Sequence, residues 1–575
     1  MMGDSALAWG WIGLFVVAGI AVGVYRIHEN GTSWLVIGLV AVLLVLLAAA
    51  LAWAVWKVWP RETPEKLLRD KSQIPDMFGK KAAQRGVGLR ASIDSARGVS
   101  MRELAPLIGR LLGKLIYASW EDFTIVLMGP RSNKTSAVAV PRILSAPGAV
   151  IATSNKPDLW ILTGALRKDV GPVYVFDPSQ IAYAAQTWWW NILSGITTLR
   201  DAKKIAEHFI EENRGAGSGQ NEDPFFAPTG KNLLSWALLA AALSGRTMRD
   251  VLDWVDTYSE KPIDILHQHG NRRAGNAFAA VLDLPAETRG GVYGEAQTAL
   301  ASIQDEETLR WITPPNTWEQ PTTDKIAELD LWSLFAYEDG KAPTLYLMTQ
   351  EGSGSAGAVI AAMVAKIFEL GDFVASAHGG RVDPPLTLVL DECANICKIK
   401  RLPKLASHLG SKSMCVTAIF QSEAQIISTW GADEAAALWG ASTVRILGAG
   451  LQDEPFLRKI SGLVGQYKPR ERRRSHGPGG VTTSNDRGSL EPIMPVEEIA
   501  AMKKHNALLI RQSSRPVLID LIPWYTEPDK GDIERVRDKA TQEVQNAAIK
   551  HLGPANPVAQ ALHRRLDEKA KAGAA

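Results

Sequence analysis

The chain has 575 residues, more than one hydrophobic core usually holds, which excludes a single small module and predicts two or three domains. Its 46% hydrophobic and 22% charged residues exclude a fully disordered chain, and 63 Lys and Arg against 61 Asp and Glu exclude a uniformly basic coat for nucleic acid. Three cysteines are too few for a disulfide framework and lack the paired spacing of a structural zinc site. We therefore expect buried thiols at Cys393, Cys397 and Cys415.

Residues 1–60 predict a transmembrane hairpin. The runs 6–25 and 33–56 contain no charged residue, and each is long enough to cross a hydrocarbon core of about 30 Å as a helix. The segment that follows is rich in Lys and Arg, which the positive-inside tendency assigns to the cytoplasm. The sequence therefore predicts a multi-pass protein of the inner or plasma membrane that contacts membrane lipid and whose soluble domains are cytoplasmic.

Short apolar runs rich in β-branched residues recur after residue 120, and helix-compatible segments separate most of them. This alternation predicts an α/β fold with a largely parallel sheet that is covered on both faces. The predicted strands are 124–128, 149–152, 173–176, 344–348, 386–390, 415–420 and 443–447.

The pattern along the chain predicts one sheet domain that is interrupted by helices. Residues 61–119 are assigned to a linker and the start of that domain, 120–195 to its first part and 333–525 to its second part. Between them, 196–332 is rich in Ala and Leu and predicts an all-α insertion. The second part is expected to close with a hairpin of strands 507–510 and 517–522. The charged tail 526–575 is expected to be helical or partly disordered.

The strongest local signal lies between the strand 124–128 and a helical pattern over 137–144. A strand, a tight loop and a helix N-terminus direct backbone N–H groups toward a phosphate; here Lys134 can reach the β- and γ-phosphates and Thr135 can ligate Mg²⁺. Asn133 stands where a glycine is usual, but asparagine tolerates positive φ better than most residues. Taken alone, the run could also be an ordinary strand-to-helix turn. The candidate phosphate loop is Gly129, Pro130, Arg131, Ser132, Asn133, Lys134, Thr135 and Ser136.

Polar side chains follow two later strands. Asp391 and Glu392 end the strand 386–390, where an Mg²⁺-dependent ATPase needs one carboxylate for the hydrated metal and one to polarise the attacking water. Gln421 ends the strand 415–420, and the carboxyl ends of parallel strands share one edge of a sheet. We therefore expect Gln421 near the γ-phosphate as a sensor, with a helix-capping role as the alternative. A solvated strand end is the alternative for the two carboxylates.

These residues together resemble the type IV secretion coupling proteins of conjugation systems, the TraG/TraD-like family of conjugative DNA transfer ATPases. The resemblance extends to about Tyr525 and includes several segments in the family's order and approximate spacing. These segments are Val175-Phe176-Asp177-Pro178, Trp190-Asn191, Asp391-Glu392-Cys393-Ala394-Asn395 and Phe420-Gln421-Ser422-Glu423-Ala424-Gln425.

The resemblance implies a RecA-like P-loop nucleotide-binding domain with an inserted all-α domain, and ATP with Mg²⁺ bound between the subunits of a homo-hexamer. It assigns the phosphate and magnesium roles to Lys134 and Thr135, the metal and water-activating roles to Asp391 and Glu392, and the sensor role to Gln421. The sequence departs from the family at Asn133 and at Ile192, where proline is frequent.

The predicted function is a membrane-anchored ATPase that couples ATP binding and hydrolysis to the export of relaxase-bound DNA or protein substrates through a type IV secretion channel. One alternative, kept open by Asn133, is a receptor or scaffold of the same system with weak or no hydrolysis. Another is a DNA pump of the chromosome-segregation kind. The predicted all-α insertion and transmembrane anchor argue against the pump, and this argument depends only on the resemblance to the coupling proteins.

Several further features each have two interpretations. The basic run 468–474 predicts a mobile loop that either contacts DNA phosphates or is only solvated. The tryptophans 188–190 are expected to pack in the core rather than to stack on bases. Arg445 is a candidate arginine finger, although ordinary ion pairing also explains it. Cys393 and Cys397 are expected to pack rather than to bind a metal.

Overall fold

A computed structural model describes residues 63–574, apart from 214–224, 321, 339, 353–355, 478–479 and 488. The chain divides into two units, residues 1–63 and 64–575, and the second unit contains the helices and strands reported below.

The membrane prediction requires a correction. The two predicted spans, 6–25 and 33–56, lie outside the described residues. Within the described part of the chain, no helix is both long and apolar enough to span a bilayer. The apolar helix Gly357–Ala377 illustrates the reason, because Lys366, Glu369 and Asp372 interrupt its 21 residues. This finding contradicts the predicted multi-pass membrane location.

The strands are numbered along the chain. They are β1 (Leu107–Leu111), β2 (Lys114–Tyr117), β3 (Thr124–Leu127), β4 (Val150–Ser154), β5 (Val173–Phe176), β6 (Trp188–Trp189), β7 (Ala327–Glu328), β8 (Thr344–Met348), β9 (Leu386–Leu390), β10 (Met414–Phe420), β11 (Val444–Leu447), β12 (Gln466–Tyr467), β13 (Arg470–Gly477), β14 (Gly480–Arg487), β15 (Glu491–Pro492), β16 (Asn506–Arg511) and β17 (Val517–Asp520).

The α-helices are numbered in the same way. They are α1 (Pro64–Leu68), α2 (Gly79–Gly88), α3 (Met101–Leu104), α4 (Val140–Leu144), α5 (Asp158–Lys168), α6 (Leu199–Asn213), α7 (Phe226–Leu243), α8 (Met248–Asp256), α9 (Lys261–Gln268), α10 (Arg272–Leu282), α11 (Ala286–Leu300), α12 (Glu306–Leu309), α13 (Gly357–Ala377), α14 (Cys393–Ile396), α15 (Leu402–Leu409), α16 (Glu423–Trp430), α17 (Ala432–Ala441), α18 (Glu454–Val464), α19 (Val496–Ala500), α20 (Lys530–Leu552) and α21 (Pro557–Ala574).

One mixed sheet of 11 strands organises the unit, in the order β2-β1-β17-β16-β11-β3-β10-β9-β4-β8-β5. The strands from β11 to β5 run parallel to one another, and the other four are antiparallel. The parallel strands are the seven predicted from the sequence, so the α/β class is confirmed. Ile125 and Leu127 of β3 belong to one apolar cluster, whereas Val126 and Met128 belong to a second. Both faces of the sheet are therefore covered.

The antiparallel edge is larger than the sequence predicts. The expected closing hairpin is confirmed as β16 and β17, which pair antiparallel. In addition, β1 and β2 form a hairpin that joins the sheet through β17, with Leu112 and Gly113 at positive φ in its turn. The strands β1 and β2 were not predicted because they are short and partly exposed, and apolar and charged residues alternate irregularly in them.

Between β6 and β8 the chain is mainly helical, as expected. The described part of 196–332 contains α6 to α12, short 3₁₀ turns and the two-residue strand β7, which pairs with β6. Helix α7 packs against α6 and α11, and the side chains of Leu233, Leu234 and Ala237 are fully buried. Because residues 64–575 form one unit, the division of this region into a separate inserted domain stays a prediction.

Two regions near the C-terminus differ in detail from the predictions. The basic run 468–474 was predicted as a mobile loop, but β13 and β14 form an antiparallel hairpin there. The β-propensity of the threonines on the second strand favours this pairing. The tail was predicted to be helical or partly disordered, and it is helical. Helix α20 packs against α5, and Ile533, Ala540 and Ala548 are its buried residues.

Candidate nucleotide site

The sheet brings the predicted site residues to one edge. Leu127 of β3 pairs with Phe420 of β10, and Ala418 of β10 pairs with Leu390 of β9. The three strands run in the same direction, so their carboxyl ends lie side by side. The phosphate-loop candidate, Gln421 and the carboxylates of Asp391 and Glu392 follow these three ends.

Glycine is required at the first position of the candidate loop. A Cβ on Gly129 would lie 2.2 Å from the carbonyl oxygen of Gly450, a distance that no side chain tolerates. The Gly129 N–H donates to the carbonyl of Ala449 at 3.0 Å, and the buried Ser132 hydroxyl donates to the carbonyl of Gly129 at 2.5 Å. The loop is thus attached to the segment after β11 and closed on itself.

The remainder of the loop turns through two residues with left-handed φ. Arg131 has φ of 58° and Asn133 has φ of 71°, and Lys134 follows in right-handed helical conformation. Succession of left- and right-handed residues directs backbone N–H groups toward a common point, which is the basis of anion-binding nests. The expectation that Asn133 supports a positive φ is therefore confirmed. Its Nδ2 atom donates to the hydroxyl of Tyr525 at 3.2 Å.

The helix after the loop begins with a wide turn rather than a regular one. Residues Thr135–Ala139 form a π-helical turn, in which the Val140 N–H donates to the carbonyl of Thr135. Pro141 has no N–H and cannot bond the carbonyl four residues before it, which favours this departure from the predicted α-helix. Thr135 and Ser136 are half-buried at the first turn, whereas Pro130 and Arg131 are exposed.

Lys134 lies against both predicted carboxylates. Its Nζ atom forms an ion pair with Oε1 of Glu392 and lies 4.0 Å from Oδ1 of Asp391. The side chain of Lys134 is 12% exposed and each carboxylate side chain is 6% exposed, so the three charges are largely removed from water. In this setting Lys134 attracts each carboxylate more strongly than it would on the surface, and the two carboxylates repel each other more strongly.

Burial dominates the protonation of Asp391. It raises the pKa of this carboxyl to about 6, against the opposing effect of Lys134. The backbone N–H of Glu392 donates to Oδ1 of Asp391 at 3.2 Å, and Thr153 Oγ1 donates to the Asp391 carbonyl at 2.9 Å. Asp391 therefore has a fixed position and titrates close to neutral pH.

Glu392 is held by a strained backbone and by amide donors. Its φ of 52° and ψ of 41° are left-handed, a conformation that costs energy for a residue with a side chain. Gln421 Nε2 donates to both carboxylate oxygens at 3.0 Å, and Asn395 Nδ2 lies 3.4 Å from Oε2. Ser422 caps α16, so the Gln421 side chain is directed to Glu392 instead of to the helix.

The sequence predictions missed a second amide and carboxylate pair at the same edge. Oε1 of Glu351 accepts from Asn155 Nδ2 at 2.6 Å and from Asn395 Nδ2 at 3.0 Å. Asn155 follows β4 directly, and Glu351 lies three residues after β8. A systematic inspection of the polar residues after each predicted strand would have found them. Tyr525, in contrast, carried no sequence signal.

The structure shows the contacts of Arg445 and of the tryptophans 188–190, for which the sequence left two interpretations. Arg445 donates to the carbonyl of Trp439 and to the hydroxyl and carbonyl of Ser442, and its guanidinium lies over the Trp439 ring. Arg445 therefore bonds carbonyl and hydroxyl oxygens of its own chain, whereas the alternative to an arginine finger was expected to be an ion pair. The tryptophans 188–190 are buried, as predicted, and Trp188 packs against Trp311.

The thiols of Cys393, Cys397 and Cys415 are buried and are not joined in disulfides, which confirms the prediction of buried thiols. Burial raises the pKa of Cys415 to about 12.

Asp177 belongs to Val175-Phe176-Asp177-Pro178, one of the segments that resemble the family, and it has a structural role. Its carboxylate accepts from the backbone N–H groups of Ile181 and Ala182 at 2.7 and 2.9 Å, which shapes the loop after β5.

Two family models match the chain. One is described as "Type IV secretory system Conjugative DNA transfer" and matches residues 73–314. The other is described as "TraM recognition site of TraD and TraG" and matches residues 385–504. Together they include strands β1 to β6, strands β9 to β15 and helices α6 to α12.

Curated relatives and a solved structure agree with these matches. The chain is 22% identical over 424 residues to the conjugal transfer protein TraG of Agrobacterium fabrum, which covers 70% of this chain and 60% of that protein. It is 22% identical over 422 residues to a probable TraG of Sinorhizobium fredii, with 70% and 62% covered. The chain thus spans about three fifths of these relatives.

The structure of the plasmid coupling protein TrwB in complex with ADP and Mg²⁺ has a TM-score of 0.50 with this chain at 16% identity. The match covers 72% of this chain and 88% of TrwB. This likeness shows a common fold.

Proposed function

The chain belongs to the TraG/TraD family of type IV secretion coupling proteins, and from this premise we propose that it is a conjugation ATPase. It couples ATP binding and hydrolysis to the delivery of relaxase-bound DNA or protein substrates to a type IV secretion channel. The observation that carries the proposal is the contact of Lys134 with Asp391 and Glu392, because it joins a phosphate-binding loop to a buried pair of acids.

The residues present fit a nucleotide and magnesium. The loop from Gly129 to Ser136 would hold the phosphates of ATP through its backbone N–H groups, aided by the Lys134 ammonium. The Thr135 hydroxyl and the Asp391 carboxylate are hard oxygen donors and would hold Mg²⁺, which, when bound, neutralises charge on the phosphate oxygens. The complex of TrwB with ADP and Mg²⁺ supports a nucleotide and magnesium as the ligands of this site.

The remaining residues supply the hydrolytic step. Glu392 accepts the proton of the attacking water, and Gln421 holds the Glu392 carboxylate through two hydrogen bonds of 3.0 Å. A bound phosphate would compete with Glu392 for the Lys134 ammonium, so nucleotide binding would release Glu392 from this ion pair. Gln421 is well placed to report this change to α16, which begins two residues later.

The assembly belongs to the same proposal. We infer a homo-hexamer in which each nucleotide lies between neighbouring subunits, as family membership implies. A cavity of about 250 Å³ next to the phosphate loop, lined by Pro130, Gln421, Gly450 and Asp453 among others, leaves room for groups of a neighbouring subunit. The structure directs Arg445 inward, so we do not assign it as an arginine finger.

The competing function is a receptor that recruits substrates without hydrolysing ATP. It rested on Asn133, which has a φ of 71°, a conformation that asparagine tolerates better than most residues; this supports an intact loop shape. Transfer of a conjugative element, measured in cells that carry the Lys134→Ala variant in place of the wild type, separates the two functions. We expect the loss of transfer by several orders of magnitude, because the phosphates lose their charged partner.

The matched control is Lys404→Ala, since the Lys404 side chain is 72% exposed and forms a surface ion pair with Glu434. Transfer should remain at the wild-type level in this variant. Transfer by Lys134→Ala at the level of the control, with equal protein abundance, would favour the receptor.

A further inference from the structure

One hydrogen bond joins the phosphate loop to the segment that follows β17, the last strand of the sheet along the chain. Asn133 Nδ2 donates to the hydroxyl of Tyr525 at 3.2 Å, across a sequence separation of 392 residues. No other polar contact of the Asn133 side chain is recorded within the described part of the chain. This asparagine is also the residue at which the loop departs from its usual glycine.

Tyr525 has a fixed position next to the loop. It lies in the 3₁₀ turn Trp524–Thr526, and this turn contacts the π-helical turn that follows the loop. Trp524 is 7% exposed and belongs to the same apolar cluster as Val138. The rings of Trp524 and Tyr525 meet edge to face at 5.7 Å. The Tyr525 hydroxyl is therefore positioned by a buried neighbour, although 37% of the residue is exposed.

An asparagine in this loop creates a problem that glycine does not have. Asparagine side chains readily bond nearby backbone N–H groups, and here such groups are the ones that a phosphate needs. A side chain that is free to rotate would compete with the phosphate for these donors. The bond to Tyr525 fixes the orientation of the Asn133 amide and so limits this competition.

We propose that Tyr525 is a positioning residue for the phosphate loop: its hydroxyl holds the Asn133 side chain and thereby permits a non-glycine loop to bind nucleotide. The inference rests on the proposed function, since it concerns the affinity for ATP. It assigns a role in the nucleotide site to the segment between the sheet and the C-terminal helices, which the motifs in the sequence do not include.

A double-mutant cycle on the full chain tests the inference. The four proteins are the wild type, Tyr525→Phe, Asn133→Gly and the double variant, and the measurement is the dissociation constant of methylanthraniloyl-ADP with Mg²⁺. Tyr525→Phe should raise this constant about fivefold, because the released Asn133 amide then bonds a backbone N–H that the phosphate needs, with about the net strength of one hydrogen bond. In the Asn133→Gly background the same substitution should change nothing, because no side chain remains to be held.

Tyr258→Phe is the matched control, because Tyr258 is 38% exposed and lies between α8 and α9. It should leave the constant unchanged, and equal thermal unfolding midpoints should show that all variants are folded. An equal rise for Tyr525→Phe in both backgrounds, or no rise in either, would overturn the inference alone. A wild-type chain that binds no nucleotide would contradict the proposed function and this inference with it.

Discussion

Asp391 and Glu392 are neighbours in sequence but differ in what holds them. Asp391 ends a buried strand and is controlled mainly by its removal from water, which raises its pKa to about 6. Glu392 has a left-handed backbone and receives hydrogen bonds from Gln421. Such strain persists only where surrounding contacts enforce it. Both carboxylates of this dipeptide lie against Lys134, but only that of Glu392 accepts hydrogen bonds from Gln421.

The raised pKa of Asp391 predicts that protons compete with magnesium. Above this pKa the carboxylate is ionised and can ligate the metal; below it the proton blocks the ligand. The Mg²⁺ concentration for half-maximal ATP hydrolysis should therefore rise about tenfold from about pH 7.5 to about pH 5, beyond the change due to ATP itself. Steady-state hydrolysis rates, measured while Mg²⁺ is titrated at each pH, give this Mg²⁺ concentration.

Asp391→Asn provides the comparison, because an amide does not titrate. This variant should need a high Mg²⁺ concentration for half-maximal hydrolysis at both pH values. Any change of that concentration with pH in the variant reports the contribution of ATP itself. A wild-type Mg²⁺ requirement that changes with pH only as much as that of Asp391→Asn would exclude Asp391 as the titrating ligand.

At the scale of elements, burial decided what could be predicted. Strands β3, β4, β8, β9 and β10 are buried along their whole length, so their sequences are short apolar runs between polar loops. The hairpin of β1 and β2 has exposed positions and charged residues, and no such run marks it. The π-helical turn was missed because Pro141 acts on backbone bonds that hydrophobic periodicity does not report.

Helix α20, the first of the two helices in the C-terminal tail, is an integral element of the fold. Ile533 is 1% exposed and lies in the apolar cluster that contains Trp524 and Val138. Ile533→Ala should lower the free energy of unfolding by about 2 to 4 kcal/mol, from lost burial and the cavity that remains. Urea denaturation followed by tryptophan fluorescence measures this.

The control is the same substitution at an exposed position. Ile427 on α16 is 41% exposed, so Ile427→Ala should change the free energy of unfolding by less than about 1 kcal/mol. Equal, small changes in both variants would mean that α20 does not contribute to the core.

At the scale of the whole molecule, the site is assembled from distant parts of the chain. Lys134 meets Glu392 across 258 residues, and Asn133 meets Tyr525 across 392. The motifs predicted the first contact because a phosphate loop and an acidic strand end have complementary chemistry. They could not predict the second, since a tyrosine after a hairpin carries no signal until the fold positions it.

Matches along the whole chain also bear on the choice between a coupling protein and a DNA pump. A coupling protein and a pump of the chromosome-segregation kind share the requirement for a phosphate loop and two acids. The family matches over residues 73–314 and 385–504 favour the coupling protein, because both models describe conjugation components. The sheet alone does not distinguish them.

The most direct test of the account is Mg²⁺-dependent ATP hydrolysis by the full chain, with and without DNA, for the wild type and Glu392→Gln. Glu434→Gln is the control, because Glu434 pairs with Lys404 on the surface of α17. We expect hydrolysis by the wild type and the control, and a fall of at least about a hundredfold in Glu392→Gln, the size of a lost general base. Absence of hydrolysis in the wild type, or an unchanged rate in Glu392→Gln, would contradict the proposed function.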